Sequence, residues 1–415
     1  MKMMMRTLVL ASSLGASAFA ASAQDAPKCG LGNGTAAEGE PLVIGAVVGE
    51  TGPDDFSSPA KSVQAYFDCV NANGGINGRP LEYLVRDDQW NPETAAQVAA
   101  QLVIDENVLA MVGNSSFVEC AANASFYKKN GVISFSGAGV PRECFTGESI
   151  AAFNSGPRIS LIATAQFAHS QLGAKSVVCI SVNIPGMGDW ACQGVEDWAK
   201  TKGVTAKSIL VDPGSADATS TLLQAAAEKP DAILLGFSKG LTLAMLNAAE
   251  QQDLAATIKF VAAGGGYNSE VPTAAGAYWN DRLWVNLELN LLESTGPDNL
   301  NWQAVMETYG EPSDPRDTFS QAGYLAAKAA TDALLKLDPS KIDRAATTQA
   351  LSEVRGVKSD ILCTDWYYAK GLKEQNAVHV TRMALLTGGA FKTIQDCVPT
   401  EDPELAPLLK YEAGQ

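Results

Sequence analysis

Short apolar runs alternate with stretches whose apolar residues recur at helical spacing, and this alternation constrains the fold more than any other feature of the chain. Residues 42–48 form an apolar run ending in Gly49, followed by a loop of Gly, Pro, Asp and Ser. Residues 60–71 then carry Val63, Phe67 and Val70 at helical spacing until Asn73-Gly74-Gly75 stops the helix. Residues 81–85 are the next apolar run, and Asn91-Pro92 opens a helix with proline at its first position and Val98, Leu102 and Val103 as its buried stripe. Runs at 108–112 and 132–135 flank a helix over 119–129. Strand-helix-strand repetition demands a parallel sheet covered on both faces.

The pattern starts again after Arg158. Helices are expected at 161–172, 189–200, 219–227 and 241–251, alternating with strands at 176–181, 208–211, 232–235 and 258–262. Two doubly wound units therefore stand in tandem. A strand at 283–289 precedes helices at 302–309, 319–337 and 344–354 and shorter strands at 366–369 and 379–386. That helical tract is too long for the second unit alone, so the chain is expected to return to the first. The Pro-rich segment 399–407 reads as surface-bound or frayed.

The compartment follows from the N-terminus and the cysteines. Lys2 and Arg6 precede an apolar stretch over residues 8–21, and Ala21-Ser22-Ala23 stands before Gln24, the order of a secretory signal and its cleavage site. Residues 1–23 are thus expected to be removed, leaving a soluble periplasmic monomer. No lipidation motif precedes Cys29, whose neighbours are Ala26-Pro27-Lys28, and no later stretch approaches the ~18 apolar residues of a membrane span. All eight cysteines lie beyond the cleavage point, an even number that reads as disulfides. No two are spaced as zinc ligands, and His169 and His379 are the only histidines, so no metal is expected. With 46 acidic against 30 basic residues and no basic patch, nucleic acid and anionic membranes are excluded as partners.

Asn71-x-Asn73-Gly74-Gly75-Ile76-Asn77-Gly78-Arg79-Pro80, then Asp87-Asp88-x-x-Asn91-Pro92 opening a helix, then Val112-Gly113-Asn114-Ser115-Ser116, resembles the leucine/isoleucine/valine-binding type of ABC-transporter substrate-binding proteins. The resemblance covers most of the mature chain in element order. It implies an α/β fold of two Rossmann-like lobes joined by three crossover strands, the type I periplasmic binding protein fold. On that basis residues 24–158 and 290–377 make the first lobe, 159–289 and 378–398 the second, and 399–415 a C-terminal tail. It also implies a small polar solute enclosed between the lobes and delivered to a membrane permease, and a bridge between Cys120 and Cys144. Cys179–Cys192, Cys363–Cys397 and Cys29–Cys69 follow by proximity in the inferred element order.

In open α/β sheets the ligand crevice lies beyond the carboxyl ends of the strands. Here those ends carry residues 51–56, Trp90, 115–117, 137–141, 184–190 with Met187 and Trp190, Ser238-Lys239 and 264–268 with Tyr267. By resemblance, Ser115 or Ser116 holds a ligand carboxylate and Ala138-Gly139 supplies main-chain contacts; a serine at 115 serves equally as a helix cap. Trp90, Phe117, Trp190 and Tyr267 are candidates to stack on an apolar body, with core packing as the alternative for each. The family's amino-acid binders carry a second-lobe carboxylate where this chain reads Gly264-Gly265-Gly266-Tyr267-Asn268, and a hydroxyl expected after Gly137-Ala138 is absent. An organic carboxylate or amide with an apolar body is therefore expected over an α-amino acid, with Lys239 as a counter-charge.

An enzyme reading rests on Gly186-Met187-Gly188-Asp189-Trp190-Ala191, which matches G-x-G-x-x-A, with Asp212 at the next strand end. The preceding strand is expected to end near Ser181, too far from Gly186 for the tight turn that fingerprint needs. Neither histidine has a recognisable nucleophile or base partner, and no G-x-S-x-G elbow is present. Asp87-Asp88 reads as a strand end and turn cap before a metal site, because adjacent side chains on a strand point to opposite faces. The expectation is a solute receptor without enzymatic activity or cofactor. A sensor reporting to a receptor kinase or chemoreceptor is the alternative, and an exported oxidoreductase a remote one.

Overall fold

The structure, a computed structural model, describes residues 26–52 and 54–414, so the expected signal segment and its cleavage point lie outside the described residues. The first sheet holds β1 (Leu42–Val48), β2 (Leu81–Asp87), β3 (Met111–Val112), β4 (Ser134–Ser136) and β5 (Ile150–Ala152), in the order β2-β1-β3-β4-β5 with every pair parallel. α1 (Ser58–Ala72), α2 (Pro92–Ala100) and α3 (Glu119–Asn130) connect its strands. Because helices cover both faces, β1 is buried along almost its whole length, which is why its sequence is continuously apolar and not alternating.

α4 (Gly156–Leu172) opens the second lobe, which continues through β6 (Ser176–Val182), α5 (Gly188–Lys202), β7 (Thr205–Val211), α6 (Ala218–Ala227), β8 (Ala232–Gly236), α7 (Lys239–Gln251), β9 (Lys259–Ala262), α8 (Val271–Ala275) and β10 (Leu283–Leu287). The chain then returns: α9 (Pro297–Tyr309) and α10 (Thr318–Leu334) pack on α1, and α11 (Arg344–Ser352) packs on α10. It crosses once more to β11 (Val380–Thr387), antiparallel to β10, and β12 (Ala390–Pro399), antiparallel to β11, which complete a seven-stranded sheet of order β12-β11-β10-β9-β8-β6-β7. Gly388 and Gly389, both at positive φ, make the two-residue turn of that hairpin.

The three crossings meet in one hydrogen-bonded knot. Glu288, just after β10, accepts from the Ser155 and Gly156 N–H groups on the first crossing, and Asn376 on the third donates to the Ser155 carbonyl. The connected Cys29–Cys69, Cys120–Cys144, Cys179–Cys192 and Cys363–Cys397 pairs are the four expected, and Cα separations of 5.2–6.0 Å suit disulfides. Among the described residues no helix is long and apolar enough to cross a membrane.

Three expectations change. Residues 366–369 are not a strand: Trp366 makes a single bridge to Val357, while its ring stacks on Phe153 at 3.9 Å and its Nε1 donates to the Ala152 carbonyl. Aromatic packing, not a ladder, holds that segment. β5, only three residues long, and β12, largely polar and exposed, were not legible as strands. The segment after Pro399 is not frayed, because Asp402 makes a bidentate pair with Arg158 (Nε···Oδ2 2.7 Å, Nη2···Oδ1 2.9 Å) with both side chains 2% exposed. Buried Arg158 requires such a carboxylate. Leu405 and Leu408 of α12 (Ala406–Glu412) bury alongside, so the end of the chain is part of the folded body.

Candidate functional site

Between the carboxyl ends of the two sheets lies a cavity of ≈ 60 Å³ that opens into a mouth of ≈ 360 Å³, the two sharing Phe56, Ser238, Gly265 and Phe319. Phe56 follows β1, Phe117 follows β3, Val140 follows β4, Asn154 and Pro157 follow β5, Met187 follows β6, Gly265 follows β9 and Glu288 follows β10. This is the crevice that parallel α/β sheets create where strands end and helices begin.

The first-lobe wall is aromatic. Phe117 stacks on Trp90 at 4.1 Å, Phe56 meets Phe117 edge-on at 4.6 Å, and Phe319 lies 5.6 Å from Phe56. Trp90 reaches this position because Gln89 and Trp90 both adopt left-handed backbone, φ 56° each. That conformation is costly for a bulky residue and is stabilised from outside. Asp87 Oδ1 accepts from the Gln89, Glu50 and Thr51 N–H groups, and Asp88 Oδ1 accepts from the Trp90 N–H at 2.9 Å. Gly52 leaves room for the indole, since a Cβ there would lie 2.6 Å from Trp90 Cδ1. The two aspartates therefore build this turn.

Beneath the aromatics most polar groups are engaged with protein partners, while Asp88 Oδ2 and Glu119 Oε2 are buried without one. Ser115 Oγ donates to the Phe56 carbonyl, and Ser116 Oγ accepts from the Val118 and Glu119 N–H groups at the start of α3. Glu119 Oε1 accepts from Tyr127 and from Asn114 Nδ2. Burial pushes the Asp88 carboxyl up to about 6 and the Glu119 carboxyl up to about 7, in each case against the hydrogen bonds that favour the ionised form.

The second-lobe wall sets Met187 and Phe237 beside glycine and backbone around Glu288. Glu288 is 5% exposed and faces the cavity beside Gly264, where a Cβ would come within 2.4 Å of Oε1. Glycine at 264 thus gives the carboxyl its room. Oε2 accepts from Ser155 N at 2.9 Å and Gly156 N at 3.1 Å, so the carboxyl sits on the N-terminus of α4. Burial raises its pKa, and those two N–H groups act in the opposite direction.

Of the residues singled out from sequence, Phe117, Gly139, Met187 and Ser238 line the inner cavity, and Ser238, Lys239 and Tyr267 line the mouth. Lys239 pairs with Glu270 at 2.9 Å, and the Tyr267 hydroxyl accepts from Leu292 N. Trp90 stands behind Phe117. Ser115, Ser116 and Ala138 are buried beneath the wall, and Gly139 is tied reciprocally to the Asn154 amide. Trp190 belongs to a different face, where it stacks on Phe145, donates to Glu404 and lies under Arg158. The loop of the G-x-G-x-x-A match is docked on the first lobe through Arg142 N donating to the Gly186 carbonyl, so the two lobes touch there. Asn154, Pro157, Phe319 and Glu288 were missed. A charged residue closing the apolar run Leu283–Leu287 was the one available signal for Glu288.

A family model described as periplasmic binding protein matches residues 41–387. The fold is similar to that of a leucine-binding protein from Thermotoga maritima, at 17% identity and a TM-score of 0.70 over 88% of this chain and 99% of that one. It is also similar to an ABC-transporter solute-binding protein from R. palustris solved with 4-hydroxybenzoate (16%, 0.75, 89% and 100%) and to an ABC-transporter substrate-binding protein from Aeropyrum pernix (14%, 0.78, 88% and 98%). A chemotactic signal-transduction substrate-binding protein from Halobacterium salinarum is 34% identical over 79 residues, 18% of this chain and 19% of that protein. The match over residues 41–387, on two parallel sheets joined by three crossings, establishes that the chain belongs to the periplasmic binding protein family and has its type I fold.

Proposed function

We propose that this chain is the periplasmic solute receptor of an ABC importer, a monomer that closes its two lobes on a small organic solute and presents the closed form to a membrane permease. The observation that carries this reading is the cavity between the lobes, in which an aromatic wall from one faces a buried carboxylate at the edge of the other. Few polar groups set in an apolar lining are what fix the orientation of a small ligand. Proteins of this fold have been solved with 4-hydroxybenzoate and with benzoate, and the phenylalanine wall here supports a solute with an apolar body. The solute is bound and released unchanged.

A sensory role is the second reading, favoured by the segment similar to the chemotactic substrate-binding protein. Mass spectrometry of the small molecule released on unfolding tests the shared core of both, followed by small-angle scattering as that molecule is added back. Contraction on addition is the expected result; release of no molecule, or an unchanged radius of gyration when the released molecule is added, contradicts it. Pull-down of a permease with the closed form then separates transport from sensing.

A further inference from the structure

We propose that Glu288 anchors the cationic head of an apolar-bodied solute, so that the ligand is an amine or similar monocation and not a free carboxylate; this rests on the solute-receptor reading above. The carboxyl is nine-tenths buried and lines the cavity. Its Oε2 is held by two backbone N–H groups at the start of the 17-residue α4, and the Asn154 and Ser155 side chains also favour the ionised form, while burial acts against it. Its donors leave the negative charge without a counter-charge, since none of the residues lining the inner cavity is cationic.

The nearby cations are already engaged. Arg158 is paired with Asp402, Lys239 with Glu270, and Arg316 donates to the carbonyls of Glu311, Asp314 and Met306. The two serines expected to receive a ligand carboxylate donate or accept within the protein. A ligand carboxylate in the inner cavity therefore meets Glu288 and no compensating charge. An amine there meets Glu288 with its charged end and the lining of Phe56, Phe117 and Phe319 with its apolar body. The mouth points the same way, since Asp54, Asp55, Glu270 and Asp317 line it against only Lys239 and Arg316. An acidic entrance concentrates cations.

Calorimetric titration with benzylamine and benzoate, which share a phenyl body and differ in the sign of the head, tests the inference in the wild-type protein and in Glu288→Gln. The glutamine keeps an acceptor for the Ser155 and Gly156 N–H groups, and thermal unfolding checks that the variant is folded. Benzylamine is expected to bind the wild type and benzoate to bind at least about tenfold more weakly. Glu288→Gln is expected to weaken benzylamine by roughly thirtyfold or more, the change that follows loss of one partner of a buried charge pair. Benzoate binding as tightly as benzylamine, or benzylamine affinity surviving in Glu288→Gln, overturns the inference while leaving the solute-receptor reading intact. Neither probe binding overturns the inference, and the receptor reading falls with it only if unfolding also releases no small molecule.

Discussion

The two walls of the cleft are built by opposite means. The first lobe presents large aromatic side chains, each held from behind: Phe56 through the Ser115 hydroxyl, Trp90 through Asp88, and the Phe117 loop through the Ser116 cap and the Cys120–Cys144 bridge. The second lobe presents Met187 and Phe237 but around Glu288 consists of glycine and backbone. Gly236, Gly264 and Gly265 leave room, and one carboxyl from the crossing after β10 fills part of it. Recognition of an apolar body needs bulky groups fixed in place, so the first wall carries a polar support layer. Recognition of a charge needs space and orientation, which backbone N–H groups and missing Cβ atoms provide.

The largest effect on stability is expected in the first wall. Phe117→Ala removes the ring that contacts both Trp90 and Phe56, and is expected to lower unfolding free energy by about 3–5 kcal/mol in a urea titration. Tryptophan emission shifts with it as Trp90 loses its stacking partner. A loss below about 1 kcal/mol would break the claim that this wall is a packed structure.

The support layer gives the next effect. Asp88 and Glu119 titrate in the folded protein at about 6 and about 7, above their ordinary values, so the native state holds more protons than the unfolded chain between those limits. Stability from these groups is full below about pH 4 and is lost as pH rises through 6 and 7, each contributing on the order of 1–3 kcal/mol. Urea midpoints measured between pH 5 and pH 8 are expected to decline, and Glu119→Gln to flatten the decline. An unchanged slope in that variant places the titration elsewhere.

The smallest effect belongs to the second lobe away from Glu288. Nothing lies within 4 Å of a Cβ at Gly240 in α7, so Gly240→Ala is expected to add about 0.5–1 kcal/mol without changing affinity. Destabilisation would show that the lobe tolerates no added side chain near the mouth, which would sharpen the contrast between the walls.

The same contrast explains what was legible in the sequence. Parallel strands buried on both faces, such as β1, announce themselves as apolar runs, and the loops at their carboxyl ends were therefore located, with Phe117, Met187 and Ser238 among them. β12 was missed because it is largely exposed and polar, and α12 because Pro403 and Pro407 resemble a tail while the Arg158–Asp402 pair that anchors it spans 244 residues. Ser115 and Ser116 have the composition of ligand donors, but hydroxyl direction depends on neighbours such as the Phe56 carbonyl that sequence spacing does not reveal. The carboxylate was sought in the glycine loop after β9. It arrives there from the crossing after β10, 24 residues beyond Gly264, and the glycine that looked like a missing ligand group is what admits it.

Gly264→Ala tests most directly whether the solute lies against Glu288 between the lobes, because the three atoms nearest the new methyl all belong to the Glu288 side chain. Wild-type, Gly264→Ala and Gly240→Ala proteins purified in parallel can be unfolded and the released small molecules quantified by mass spectrometry. The account predicts the same molecule from wild type and Gly240→Ala, and at least about tenfold less from a folded Gly264→Ala, since 1.4 kcal/mol of lost binding suffices for that change. Equal release from all three proteins would contradict it.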